Sequence, residues 1–416
     1  TLLILPVLYV VFESFKTIKI SLSKSAAVMV FLLCTTMVNA QESMQKLSEN
    51  EVVTMAIKSS VSLKKSTVNV LKSKFGISEA IDLNPLSIRF QDVGVSNGVT
   101  EIEWSVNQNF GSILSHVQNR KLAIAKNDFA KASTKISLKE TVQNAKSMYQ
   151  QWHYLYALIS LLEEQQVNSN QIKNIAKKLH QSGEIGGLES DLAALQSLGI
   201  QSQKSKIYTQ FLKIENALKE LLQITNAIEP FTKLPQKKEM FLKNEALSTS
   251  FLSAIRKSNR VAEKNVSVAK SVYFPELTAG LVNRKTGNAL GYTGFNVGLN
   301  IPLSFWSKNA TVKKQQITQE AIAFENTSKT IALQNNLASL KKQVAYLNNE
   351  LENVEKTKNK ASKFLKKIKL AYQLGEIDAY QYNQSFNAYF KVMQNYLSLI
   401  NNYNQTVIAY EFYTKE

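Results

Sequence analysis

Four stretches of the chain alternate apolar and polar residues with a period of two. Leu86, Ile88 and Phe90 interleave with Ser87, Arg89 and Gln91, and Ile102, Trp104 and Val106 with Glu101, Glu103, Ser105 and Asn107. Further on, Leu277, Ala279 and Leu281 alternate with Glu276, Thr278 and Gly280, and Phe295, Val297, Leu299 and Ile301 with Gly294, Asn296, Gly298 and Asn300. Successive side chains of a strand point to opposite faces, so each stretch is expected to be a strand with one apolar and one polar face. The spacing predicts strands over about 85–93, 99–109, 275–284 and 292–303. Turn-rich connections, Gly94 to Gly98 and Thr286 to Gly291, make each pair a hairpin.

The rest of the chain carries helical periods. Leu337, Leu340, Val344, Leu347, Leu351 and Val354 are spaced alternately three and four apart among Lys, Glu, Asn and Gln, which is a coiled-coil seam. Residues 112–170, 172–224 and 378–414 also read as helix and hold no proline. At ~1.5 Å per residue such helices are tens of ångströms long, more than a compact globule accommodates. The late aromatics, among them Tyr382, Phe386, Phe390, Tyr403 and Tyr410, fall at helical spacing and are expected to fill the interior of the helix wall.

The chain also repeats itself. Gly183-Glu184-Ile185 returns as Gly375-Glu376-Ile377, about 192 residues later, and Pro85 and Pro275 open corresponding strands. Residues 41–225 are read as a first repeat, 226–240 as a linker with Pro230 and Pro235, and 241–416 as a second repeat. The fold class expected is mainly α with a small β part: a helix, a β-hairpin and a long coiled-coil hairpin, twice over.

Composition narrows the function. The chain has 416 residues, a net charge of +18 and a single cysteine, Cys34. Residues 16–40 read as a secretory signal: Lys16, Lys19 and Lys24, then an apolar run from Ala26 to Met37, then Val38-Asn39-Ala40 as a cleavage site. The processed chain is then expected outside the cytoplasm, without thiols. His116, His153 and His180 are too scattered for a metal site, and no G-x-S-x-G, H-E-x-x-H or phosphate loop is present. No catalytic residue, cofactor or metal is expected, and the chain is not read as an enzyme. Its lysines spread along helix faces without an aromatic platform, so no nucleic-acid partner is expected either.

Four strands cannot close a barrel, and open edges seek partners. If the apolar faces meet lipid, the sheet must close with other copies, because backbone groups in a bilayer have no water to bond. The competing reading is a soluble sandwich whose apolar faces meet each other.

At this point the sequence resembles a known family. Ala269-Lys-Ser-Val-Tyr-Phe-Pro-Glu-Leu-Thr-Ala-Gly280, Val297-Gly-Leu-Asn-Ile-Pro-Leu-Ser-Phe305 and Leu370-Ala-Tyr-Gln-Leu-Gly-Glu-Ile377 are similar to the strand openings, strand endings and turn motif of the TolC family of outer-membrane factors. The resemblance covers about residues 45–414. It implies a homotrimer in the outer membrane, a shared β-barrel of about twelve strands and a periplasmic helical tunnel. It also implies a passive efflux duct working with a periplasmic adaptor (membrane fusion protein) and an inner-membrane pump of the resistance-nodulation-division superfamily. Residues 1–15 read as a remnant, in which Thr1-Leu-Leu-Ile-Leu-Pro-Val-Leu-Tyr resembles the end of the last membrane helix of heavy-metal pumps in that superfamily, so heavy-metal cations are the leading cargo and drugs the next.

The resemblance assigns adaptor docking at the periplasmic tip to Gly183, Glu184, Ile185, Gly186 and Gly187 and to Gly375, Glu376, Ile377 and Asp378, with the isoleucines exposed. Glu189, Asp191, Gln381 and Gln384 are the gate candidates; the two glutamines stand where some members carry acidic residues. Lipid contact falls to Leu86, Ile88, Phe90, Ile102, Trp104, Val106, Leu277, Leu281, Phe295, Val297, Leu299 and Ile301. The alternative is a periplasmic coiled-coil adaptor or scaffold not inserted in the membrane.

Overall fold

A computed structural model describes residues 44–95, 99–240, 246–288 and 291–415. The remnant expected over 1–15 and the signal expected over 16–40 lie outside the described residues. The chain divides into two compact units. In the smaller one, β1 (Gln45–Leu47) pairs with β4 (Ile228–Pro230).

The larger unit holds everything else, in two matching halves. The first half runs α1 (Glu49–Ser59), α2 (Val61–Glu79), β2 (Ser87–Val95), β3 (Val99–Gly111), α3 (Ile113–Gln181) and α4 (Gly187–Leu222). The second runs α5 (Thr249–Ser271), β5 (Glu276–Thr286), β6 (Tyr292–Asn300), α6 (Phe305–Gln373) and α7 (Ala379–Thr414). The long helices match in length, 69 residues for α3 and α6 and 36 for α4 and α7. A 69-residue helix is about 100 Å long. The break expected at residue 171 does not occur. Asn170 and Gln171 neither remove a donor nor demand a left-handed backbone, so α3 continues to Gln181, just before the positive-φ Gly183.

Helices pack side by side in the order α2–α3–α5–α6 nearer the strands and α4–α3–α7–α6 further away, so α3 and α6 run through while the shorter helices meet end to end. At one meeting point Ser59 Oγ donates to the carbonyl of Leu221, 2.6 Å; at the other, Ser248 N–H donates to that of Tyr413, 2.8 Å. So thin a layer has little deep interior. Small residues (Ala125, Ala132, Ala145) let α3 approach its neighbours, and short polar pairs stitch the joints, Asn326 to Asn259 at 2.6 Å and Ser147 to Gln405 at 2.6 Å. The predicted seam packs as expected: Val344 and Leu351 are buried against Leu399, Ile400, Tyr403 and Val407 of α7. Of the late aromatics, Tyr382, Phe386, Phe390, Tyr403 and Tyr410 are buried.

The strands form one antiparallel sheet in the order β2–β3–β5–β6, so the two hairpins join through β3 and β5. β3 runs on to Gly111 through a bulge, with φ +67° at Gly111 and its N–H donating to Asn109 Oδ1 at 2.7 Å. β6 ends at Asn300, two residues short of Pro302, whose nitrogen has no hydrogen to offer a ladder.

Candidate channel wall and tip

Direct cross-strand partners share a face, and the register sorts the sheet cleanly. Ile88 faces Val106, Phe90 faces Trp104, Val106 faces Leu281, Leu281 faces Phe295, and Leu277 faces Leu299. Ile102 and Val297 lie on the same face by alternation. Ten of the twelve residues expected to meet lipid thus belong to one sheet face. Leu86 precedes β2 and Ile301 follows β6, both exposed beside the strand ends. Phe295 is 82% exposed, and Ile88, Phe90, Trp104, Leu281, Val297 and Leu299 are open as well, so none of the described residues covers the face. That removes the sandwich reading, which needs apolar faces in contact.

The opposite face is polar. Asn107, Gly280 and Asn296 form one row across β3, β5 and β6, with Asn296 Nδ2 donating to Asn107 Oδ1 at 3.3 Å. Gly280 is required there: a Cβ would sit 2.0 Å from Asn107 Oδ1 and 2.8 Å from the Val106 carbonyl. Near the hairpin turns, Arg284 joins Glu101 and Glu103. Alternation made these positions polar, but only the β3–β5 register brings residues of the two halves together.

At the far end of the long helices lie the two turns. Gly183 has φ +77° and Gly375 φ +74°, and in each the next residue reaches back five positions, Glu184 N–H to Leu179 and Glu376 N–H to Ala371, both at 2.9 Å. This is the Schellman ending, which glycine enters without Cβ strain. Gly187, opening α4, stands against the His180 ring. The isoleucines differ from expectation. Ile185 and Ile377 are half-buried against a cluster of Ile172, Ala176, Ala193, Leu365, Ile368, Tyr382, Phe386 and Phe390, because the reversal after the glycine folds the following apolar side chain inward. The apolar side chains exposed at the tip are Leu188, 84% accessible, and Leu374, which the sequence reading missed; the signal for Leu188 was the helical spacing of Leu188, Leu192 and Leu195.

Among the gate candidates, Glu189 accepts the Gly186 N–H at 2.6 Å and so caps α4. Asp191 is exposed on the same helix. Gln381 gives its backbone N–H to Asp378 Oδ1 at 2.7 Å, and Gln384 donates to Tyr380 Oη at 2.6 Å. A groove of about 420 Å³ brings Leu188, Glu189 and Leu192 of the first turn together with Asp378, Tyr380 and Asn383 of the second.

Comparison with known proteins agrees with this geometry. Residues 244–412 match the family described as outer membrane efflux protein. No curated protein sequence matches. Among solved structures, the chain is similar to CusC, with 16% identity, a TM-score of 0.69 and coverage of 90% of this chain and 96% of that one. It is also similar to the CmeC outer membrane channel of Campylobacter jejuni (13% identity, TM-score 0.71, 88% and 84% covered). The outer membrane protein VceC of Vibrio cholerae matches at 12% identity and a TM-score of 0.70, with 87% and 95% covered. At such identities these structures share the fold of this chain, across both halves. Among the described residues no helix is long and apolar enough to cross a membrane. The second half of the chain thus matches the outer membrane efflux protein family directly, and the two halves together share the fold of solved outer-membrane channels.

Proposed function

We propose that three copies of this chain close a barrel of about twelve strands in the outer membrane, above a tunnel of their helices that reaches into the periplasm. The observation that carries this reading is the sheet: among the described residues one face is apolar and uncovered, and both edge strands, β2 and β6, lack a partner along their outer sides. Closure with other copies satisfies those edges where no water is available. The helix layer adds support. Its outer helices carry exposed apolar residues at heptad spacing, Val61, Val68 and Phe75 on α2 and Ile317, Phe324 and Ile331 on α6, which suits packing of one copy's α6 on the next copy's α2.

The duct makes and breaks no bond. An inner-membrane pump of the resistance-nodulation-division type supplies the work, and a periplasmic adaptor meets the tips formed by Gly183–Gly187 and Gly375–Asp378. The two repeats, 41–225 and 241–416, each contribute one hairpin and one helix pair to the wall. Heavy-metal cations are the cargo favoured by the resemblance of residues 1–15 to a heavy-metal pump's end; drugs are the second reading. Removal of residues up to Ala40 precedes insertion.

Membrane fractionation, followed by light scattering of the detergent extract, tests this. A detergent-dependent trimer beginning at Gln41 in the outer-membrane fraction is the expected result. A water-soluble monomer or dimer in the periplasm would replace the channel with a coiled-coil adaptor or scaffold.

A further inference from the structure

The polar face of the sheet has mostly uncharged middle rows, Glu276 at its helix end and a cluster of charges toward its hairpin turns. Its middle rows carry Gly280, Gly294, Gly298, Ser105, Asn107 and Asn296. Toward the hairpin turns, Arg284 stands directly opposite Glu103, and Glu101 lies one row further out, opposite Thr286. Arg284 Nε is 2.7 Å from Glu101 Oε1 and 2.9 Å from Glu103 Oε2, and its Nη2 also pairs with Glu103. Glu101 and Glu103 come from β3 and Arg284 from β5, so the cluster spans the joint between the two halves. Its side chains are partly exposed, on the face that lines water in the proposed barrel.

We propose that Arg284 sets the ionic selectivity of the outer mouth of this channel, by neutralising a carboxylate pair that would otherwise ring it. The inference rests on the trimeric barrel reading. In three copies the mouth carries six carboxylates from Glu101 and Glu103, held against three Arg284 guanidiniums. Arg89, one row nearer the helices on the same face, adds a further positive charge per copy. The four charged groups cancel, and the mouth presents little net field. Without Arg284, neighbouring carboxylates lose their counter-charge, and a ring of them concentrates cations as acidic rings do in cation channels. Arg89 then stands alone against the two carboxylates of each copy. For a duct that passes whatever a pump delivers, a balanced mouth neither holds a cation nor repels an anion.

The test uses the full processed chain in planar bilayers under a potassium chloride gradient, with hexaamminecobalt as a trivalent probe. Arg284→Gln is expected to raise the potassium-over-chloride permeability ratio by about threefold or more, and to gain block by hexaamminecobalt added on the hairpin-turn side. Glu103→Gln is expected to shift the ratio the other way, and Arg284→Gln combined with Glu103→Gln, which restores the charge balance, to return it toward the parent value. Arg284→Lys, which keeps the charge without the fork, leaves selectivity near the parent. Hexaamminecobalt binding to the detergent-solubilised trimer reads the same change without ion flow. If Arg284→Gln trimers match the parent in permeability ratio, block and probe binding, the proposal fails; should that variant not fold, an unchanged ratio in Glu103→Gln trimers overturns it equally. A parent chain that purifies as a water-soluble monomer overturns the barrel reading, and this inference with it.

Discussion

The turn around Gly183 and the turn around Gly375 share a backbone and differ in nearly everything that surrounds it. Both place glycine at a φ near +75° and bond the next amide back to the helix at 2.9 Å. Beyond that the two diverge. The second turn stands on an aromatic stack, Tyr372 on Tyr382 with ring centroids 4.6 Å apart, then Phe386 and Phe390. The first contributes Ile172, Ala176 and Ala193 to the same cluster and turns Leu188 outward. Their caps differ too. Glu189 reaches back to Gly186 in the first, whereas Asp378 reaches forward to Gln381 in the second. Duplication has kept the reversal, which only a few backbone conformations provide, while the second turn supplies the aromatic share of the common interior and the first the most exposed apolar side chain, Leu188.

The strongest way to break this comparison is to remove the interior. Phe390 is fully buried, and Phe390→Ala is expected to destabilise the helix layer by about 3–5 kcal/mol, seen as loss of helical circular dichroism at lower denaturant. A loss below about 1 kcal/mol would mean that the aromatic stack is not the support described. Next come the glycines. Gly183→Ala and Gly375→Ala each add a Cβ that meets nothing within 4 Å, so the cost is backbone alone, about 1–2 kcal/mol. The two losses should be equal within error, and a clear inequality would show that the shared geometry hides different strain. Capping gives a smaller and unequal pair. Asp378→Ala should cost about 1 kcal/mol, and Glu189→Ala about half of that, since in the first turn the backbone of Gly186 holds the cap position without a side chain of its own. Smallest is Leu188→Ser, within about 0.5 kcal/mol on unfolding because the residue is exposed. In the proposed pump complex the same change should instead weaken adaptor capture by the tip, which pull-down with the cognate adaptor would read.

Much of this architecture was legible because period reports face. The alternation at Ile88, Phe90, Trp104, Val106, Leu281 and Phe295 named the apolar side of the sheet before any pairing was known, and Gly183 and Gly375 marked the reversals because other residues enter a positive φ at a cost. Boundaries were less legible. Pro302 shortened β6 because its nitrogen has no hydrogen for the ladder, and the bulge at Gly111 lengthened β3, its N–H turned to Asn109 Oδ1 of the same strand. The inward isoleucines were invisible for a related reason: Ile185 and Ile377 are apolar residues next to charges in a turn, and only the path of the chain after the glycine turns them toward Ile172 and Phe386.

By itself, the sequence determined the local quantities: which segments are helix or strand, which face of each is apolar, where the chain reverses, and that the pattern occurs twice. Those depend on neighbours a few positions away. Tertiary structure decided what depends on distant partners: that β3 pairs with β5 and so joins the two hairpins in one sheet, that Arg284 meets Glu101 and Glu103, and that α2 and α6 remain at the outer sides of the layer. Pairing across nearly two hundred positions follows from register and packing, and neither is written in the period of any one segment.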